Sequence, residues 1–342
     1  MWSRAVLAIQ KVQKLRVLFV APYVPDALRT RPYFFLKNLC RRHFITLLAP
    51  VFGAEDQAAA QRLQPEIPGL EILTFPVNRK KAILNSLSAL PRLLPMQSRF
   101  CYSAALVEKT RELWNTGRYD IVHVEHFRAA YVLGAMLKMG APVVFESVDC
   151  ISLLVKRTLL HGPLKNRVVS LIELWPSQRY EKNIMEMKGL SVVATSGEDA
   201  NALEELAGQP PGTVKVIPNG VDLNYFSNSV RKREPGTVVF SGKMSYHANI
   251  AAANFLVKKV WPLVRERCPQ AHLQIVGSQP PAELVALSVQ QGVEVTGFVP
   301  ELRDYLQKAT VALAPMVYSV GIQNKVLEAM ACGNRGVQAQ TL

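Results

Sequence analysis

No CxxC pair, no low-complexity tract, no short-period repeat and no apolar run near the ~20 residues of a membrane-spanning helix occurs in the 342-residue sequence. Its five cysteines, Cys40, Cys101, Cys150, Cys268 and Cys332, are odd in number and scattered. That argues against a disulfide framework or a zinc site and for a reducing cytoplasm. The opening stretch MWSRAVLAIQKVQKLR has an apolar core of only five residues, AVLAI, and lacks a convincing cleavage site. No signal peptide is read there, and the fold is expected to begin near Leu15. Zinc-finger, RRM-like and helix-turn-helix patterns are also missing, so nucleic acid is not an expected partner.

Apolar residues are plentiful. Hydrophobic types make up 49% of the chain and charged types 19%, enough to bury real cores. The formal net charge of +14 is uneven, with 15 Lys/Arg against 5 Asp/Glu in residues 1–100. Such a surface attracts anions: acidic lipid headgroups, phosphorylated substrates or nucleic acid. Short β-branched or aromatic runs closed by turn residues recur along the chain: RVLFVAPYVP, FITLLAPV, LEILTFPV, YDIVHVEH, PVVFESVD, LSVVATS and VKVIPNGVD. Helical patterns such as RPYFFLKNLCRR and GEDANALEELAG separate them.

The polar, turn-rich NYFSNSVRKREPG interrupts the alternation and reads as an interdomain linker. Alternation restarts with TVVFSGKM and runs through AHLQIVGS, VEVTGF and TVALAPMV, with helices between. Strands alternating with helices predict an α/β protein with parallel sheets, in two Rossmann-like domains of residues 15–225 and 226–342. Ligand sites of parallel sheets lie at the carboxyl ends of the strands. The residues that matter should therefore follow the strands, and two facing sheets would turn both ligand edges toward one cleft.

Three segments carry a resemblance in the expected order and spacing: VIPNGVDLNYF, GFVPELRDYLQKATVALAPM and GIQNKVLEAMACG. On them the chain resembles glycosyltransferases of the GT-B fold, specifically the retaining enzymes of family 4. GIQNKVLEAMA also resembles the branch of bacterial exopolysaccharide and surface-sorting loci. The implied activity is transfer of a sugar from a nucleotide-diphosphate donor, the co-substrate, to a saccharide or lipid-linked acceptor, with no other cofactor. No DxD-type motif stands at a strand end, so no metal is expected. Rival readings are a nucleotide-sugar epimerase of the same architecture and a transferase that only binds its nucleotide sugar.

The resemblance assigns residues to roles. A glycine turn opening a helix offers free N–H groups to a diphosphate above Gly321, Ile322 and Gln323. Glu328 takes the place of a glutamate that accepts the ribose hydroxyls, one on each carboxylate oxygen. The family's partner glutamate, eight residues earlier, is replaced by Val320, so Asn324 or Lys325 takes part of its role or sugar recognition lies elsewhere. Lys243, directly after Gly242, neutralises the diphosphate, while Asn249 stands where a second basic residue is usual. Gly297 and Phe298, within TGFVP, fall in the loop that contacts the nucleobase through backbone groups.

In the first domain, Arg29 and Arg31 occupy the place of a glycine-rich loop and suit a phosphate or carboxylate. Glu125 or His126, in HVEH, is the candidate beside the transferred sugar, and Asp149 is the candidate for orienting the acceptor hydroxyl. The segment NRKKAILNSLSALPRLLPMQSRFCYSAAL interleaves basic and apolar residues. It reads either as an acceptor site in peripheral contact with an anionic membrane, at the inner face of the plasma membrane, or as a solvated helix pair over the core. Relatives continue past EAMACG with an apolar strand and a helix. NRGVQAQTL carries no strand signal, so the second domain is expected to be incomplete.

Overall fold

A computed structural model describes residues 14–26, 30–228, 233–316 and 322–340. The chain divides into two compact units, one of residues 1–153 and 172–217, the other of residues 154–171 and 218–342. Arg29 and Gly321 lie outside the described residues.

The first unit alternates β1 (Arg16–Val20), α1 (Thr30–Leu39), β2 (Phe44–Val51), α2 (Ala54–Glu66) and β3 (Leu70–Pro76). The helices α3 (Arg79–Leu87), α4 (Met96–Phe100) and α5 (Ala104–Asn115) follow without an intervening strand. Next come β4 (Ile121–Glu125), α6 (Leu133–Lys138), β5 (Val143–Val148), α7 (Ile151–His161), α8 (Leu164–Met185), β6 (Leu190–Ala194), α9 (Gly197–Ala207) and the short β7 (Lys215–Val216), with residues 154–171 of α7 and α8 falling in the second unit. These seven strands form one parallel sheet in the order β3-β2-β1-β4-β5-β6-β7. Strand order reverses between β1 and β4, and an open parallel sheet places its ligand crevice beyond the carboxyl ends at that point.

Each face of this sheet has its own core. Val122 and Val124 of β4 pack with Leu106, Leu133 and Phe145 on one side. Ile121 joins Val17, Phe19 and Leu36 on the other. The period of two along a strand then sends His123 and Glu125 to the same face as Ile121, the side covered by α1. Two polar residues on an apolar face at the switch point mark a place where packing was not the only requirement.

The second unit contains β8 (Thr237–Ser241), α10 (His247–Phe255), α11 (Trp261–Arg267), β9 (His272–Val276), α12 (Ala282–Val285), β10 (Val293–Gly297), α13 (Leu302–Lys308), β11 (Val311–Met316), α14 (Asn324–Ala331) and β12 (Arg335–Gln340). Its parallel sheet runs β10-β9-β8-β11-β12 and reverses between β8 and β11. Phe226, from the segment read as a linker, packs against Leu306 and Ala329 of this unit. The guanidinium of Arg233 donates to the carbonyls of Ala309, Cys332 and Gly333.

The expectation of no strand after EAMACG is corrected. Arg335–Gln340 pairs in parallel with β11, from Val311↔Arg335 to Met316↔Gln340. RGVQAQ has weak intrinsic strand preference, and the ladder with an apolar neighbour strand decides its conformation.

Candidate functional site

In the second unit the switch point is built by glycine, asparagine and lysine. Gly242 directly follows β8 and Gly277 directly follows β9, and their backbones approach closely. A Cβ on Gly277 would lie 1.7 Å from the Gly242 carbonyl oxygen, so no other residue fits there. A Cβ on Gly242 would lie 2.8 Å from Asn249 Nδ2 and 3.3 Å from Lys325 Nζ. The missing side chain leaves room for an amide and an ammonium directly against the strand end.

Asn249, buried in the first turn of α10, joins the two basic residues. Its Nδ2 donates to the Lys243 carbonyl at 3.0 Å. Its Oδ1 accepts from Lys325 Nζ at 2.6 Å. The Lys325 amine also lies 4.7 Å from the centre of the Phe240 ring and 3.6 Å from Met316 Sδ. Burial among these groups lowers its pKa to about 8, against the opposing pull of Glu328 one turn along α14. Burial likewise raises the pKa of Glu328, and the Lys325 charge partly offsets this. Lys243 is an exposed side chain, so the two lysines differ: one is fixed and desolvated, the other faces water.

Around this centre Asn324 Oδ1 accepts from Asn219 Nδ2 at 2.9 Å, which ties VIPNGVD to the start of α14. Ile322 and Gln323 are half-buried just before that helix. Gly297 closes β10 with φ +72°, its carbonyl accepts from Gly277 N–H at 3.1 Å, and the Phe298 side chain after it is 76% exposed. The backbone of the TGFVP turn thus joins the strand ends of Gly242 and Gly277.

The switch point of the first unit holds a buried ionic cluster. Arg31, in the first turn of α1, meets Glu146 at 2.9 Å, with both side chains under 10% exposed. Its guanidinium stacks on Phe35, 4.6 Å from the ring centre. Arg31 is therefore engaged inside the protein, where the sequence reading made it a ligand-binding cation. Glu125 is the cross-strand neighbour of Glu146 and is fully buried. Its Oε2 lies 3.2 Å from His123 Nε2, while Oε1 has no hydrogen-bond partner among the described residues. His123 stacks on Phe19 with ring centres 4.3 Å apart. Burial raises the pKa of Glu146, the Glu125 charge adds to this, and Arg31 opposes both.

His126, just after β4, and Val148, the last residue of β5, both have positive φ, at +68° and +67°. For a β-branched residue this is a strained conformation, and such strain gathers at functional sites. Glu146 secures both turns. Its carbonyl accepts the His126 N–H at 2.7 Å and its Oε1 the Val148 N–H at 3.3 Å. His126 Nδ1 accepts the Arg128 N–H at 3.2 Å. Burial, and then the Arg128 charge, lower its pKa to about 3, so it offers a neutral imidazole at physiological pH. Asp149 follows the second turn. Burial and the Asp199 charge raise its pKa to about 7, although Arg31 and Thr195 oppose the shift.

Sequence reasoning placed Glu146 and His123 among the strand-end stretches 146–149 and 123–126 expected to matter, but gave neither a role. The available signal was a charged residue inside each of two apolar strand runs, PVVFESVD and YDIVHVEH. Their partners lie far away in sequence, Arg31 being 115 positions from Glu146.

The chain is an α/β protein with two parallel-sheet units, the second carrying Lys243 and Lys325 at its switch point. Residues 33–225 match the model of Glycosyltransferase Family 4, and residues 235–338 that of Glycosyl transferases group 1. The first match spans more than half the chain, and the chain belongs to glycosyltransferase family 4. D-inositol 3-phosphate glycosyltransferase of Thermobispora bispora is 22% identical over 265 residues, 70% of this chain, and the chain spans 58% of that relative's length.

Among solved structures, Anabaena HepE in complex with UDP and glucose aligns with a TM-score of 0.60 at 17% identity, over 95% of this chain and 80% of that one. A glycosyltransferase from Rickettsia africae aligns at 0.62 and 16% identity, over 95% and 79%. At these identities the likeness is one of fold, and it is the fold of GT-B glycosyltransferases.

Proposed function

We propose that the protein is a retaining glycosyltransferase that moves a sugar from a nucleotide-diphosphate donor to an acceptor hydroxyl, in bacterial polysaccharide or glycoconjugate synthesis. The observation that carries this reading is the junction of Gly242, Asn249 and Lys325 at the switch point of the second sheet. It offers a fixed ammonium to a diphosphate where an α/β sheet receives its ligand. HepE, similar in fold, holds UDP and glucose in its crystal structure, which supports a nucleotide-sugar donor here.

In this mechanism the sugar C1–phosphate oxygen bond breaks and the acceptor oxygen bonds to C1 on the same face. The hydroxyl proton passes to the departing diphosphate. Lys325 and Lys243 neutralise the negative charge that develops on the leaving group, and Glu328 grips the ribose hydroxyls. Asp149, whose pKa is raised to about 7, orients the acceptor hydroxyl, and the neutral His126 imidazole lies beside the sugar. Positioning and electrostatics supply most of the rate.

The test is incubation with UDP-, GDP- and ADP-sugars, with and without saccharide acceptors, following nucleotide release alongside Glu328→Ala. Acceptor-dependent release that the substitution abolishes is expected. Epimerised sugar without transfer would overturn the proposal.

A further inference from the structure

The first N–H groups of a helix need acceptors, and a serine, threonine or aspartate just before the helix ordinarily supplies one. Before α7 that position is Cys150, a weak acceptor. Buried carboxylates from elsewhere in the first unit take its place. Cys150 N–H donates to Asp199 Oδ1 at 2.9 Å. The N–H groups of Ile151 and Ser152 donate to the two oxygens of Glu181, at 2.6 and 3.0 Å.

The residues before them are held as closely. Val148 N–H donates to Glu146 Oε1 at 3.3 Å, and the Val148 carbonyl accepts the Thr195 N–H at 2.9 Å. Asp149 N–H donates to the Ser147 carbonyl at 2.9 Å, and Ser147 Oγ donates to the Asp149 carbonyl at 3.1 Å. Every N–H from Val148 to Ser152 thus has an acceptor, and side-chain carboxylates of β5, α8 and α9 supply all but one.

Glu146, Glu181 and Asp199 are each 1% exposed or less. Burying three carboxylates costs far more than a local serine cap, so capping a helix does not by itself account for them. The stretch they hold presents a single polar side chain. Ser147, Cys150, Ile151 and Ser152 are buried, while Val148 and Asp149 keep part of their surface open.

We propose that Glu181 and Asp199 are positioning residues that fix the backbone after Asp149, so that the Asp149 carboxyl stands beside Asp199 at the carboxyl edge of the first sheet. The inference rests on the reading of Asp149 as the group that orients the acceptor hydroxyl. The charged groups facing Asp149 are Asp199 of α9, Arg31 of α1 and Glu146 of β5. Glu181 of α8 acts through the N–H groups of Ile151 and Ser152. Because the N–H groups at the start of α7 are engaged within the protein, the surroundings of Asp149 suit an uncharged hydroxyl rather than a phosphate.

Burial and the Asp199 charge raise the Asp149 pKa to about 7, so its position can be read as a titration. The test is carbon-13 NMR of the whole chain labelled at the aspartate carboxyl carbon, with Asp149 assigned by the resonance lost in Asp149→Asn. No donor or acceptor is needed. The wild-type midpoint is expected near 7. Glu181→Ala frees the backbone after Asp149, and the midpoint should fall toward the ~4 of an exposed aspartate. Glu181→Gln keeps the side-chain length and one acceptor oxygen, and should retain most of the elevation. Asp199→Asn keeps an acceptor for the Cys150 N–H but removes the like charge, so its midpoint should also fall.

A midpoint that stays near 7 in Glu181→Ala, as a plain helix cap would leave it, would overturn the proposal. So would a wild-type midpoint near 4. Should Glu181→Ala fail to fold, an unmoved midpoint in Asp199→Asn has the same force. UDP binding should be unchanged in all three variants. Its absence from every form would count against the sugar-transfer reading, while the titration still decides the positioning. In turnover, Glu181→Ala should lower kcat by about tenfold or more with the donor KM unchanged, and an unchanged kcat would overturn the proposal.

Discussion

Binding of a nucleoside diphosphate to the second unit should weaken with rising pH through one ionisation that begins near pH 8, that of Lys325. In the free protein, burial against Asn249, Phe240 and Met316 lowers this amine to about 8. A bound diphosphate stabilises the ammonium and raises its pKa above that value. The protonated form binds, so affinity is at its full value below pH 8. It is lost as pH rises through the pKa of the complex, by no more than tenfold per pH unit.

A charge-assisted contact contributes about 1.5–3 kcal/mol, so the total loss is roughly ten- to 150-fold. Calorimetric titration of UDP between pH 7 and 9.5, above the second phosphate ionisation near 6, reads this directly. Lys325→Met should bind weakly with a flat profile. Glu328→Gln removes the charge that holds the lysine up, so its decline should begin below pH 8. A flat wild-type profile, or the same decline in Lys325→Met, would refute the assignment.

Other consequences are equally concrete. Asn249→Asp should raise the Lys325 pKa and shift the alkaline decline upward, whereas Asn249→Leu leaves the amine without its acceptor and should cost about 1–3 kcal/mol in denaturant unfolding. Gly277→Ala places a methyl inside the Gly242 carbonyl, and a loss of about 3 kcal/mol or more of folding stability is expected by the same method. Arg31→Met leaves Glu146 buried beside Glu125 without its cation, and about 3–5 kcal/mol should be lost at neutral pH. Because the Glu146 pKa is raised in the folded state, the variant should regain stability as pH falls, and adding Glu146→Gln should restore much of the loss at pH 7.

Much of the architecture was legible because parallel strands buried on both faces read as short apolar runs closed by turn residues, and segments such as RVLFVA did not depend on distant partners. GIQNKVLEAMA and SGKM are each contiguous, so Lys325, Glu328, Gly242 and Lys243 could be named together from the resemblance those segments carry. What joins them was not legible, since Asn249 reaches Lys325 across 76 positions.

Arg31 shows the limit most clearly. Arginines after a strand suit an external anion, and only the fold reveals the internal carboxylate of Glu146 beside Arg31. The strand at Arg335–Gln340 was missed because an edge ladder with β11 overrides weak propensity. The buried carboxylates of α8 were hidden because their partners are distant in sequence: Glu173 accepts the Met96 N–H, and Glu181 those of Ile151 and Ser152.

The central claim is that the β8–β11 edge receives a sugar-nucleotide diphosphate. Equilibrium binding of UDP, GDP and ADP to the wild-type chain and to Lys325→Met and Glu328→Ala at pH 7 tests it most directly. Saturable binding of one nucleotide, weakened by about tenfold or more in each variant, is the predicted result. Binding of none of the three, or binding unchanged in both variants, would contradict it.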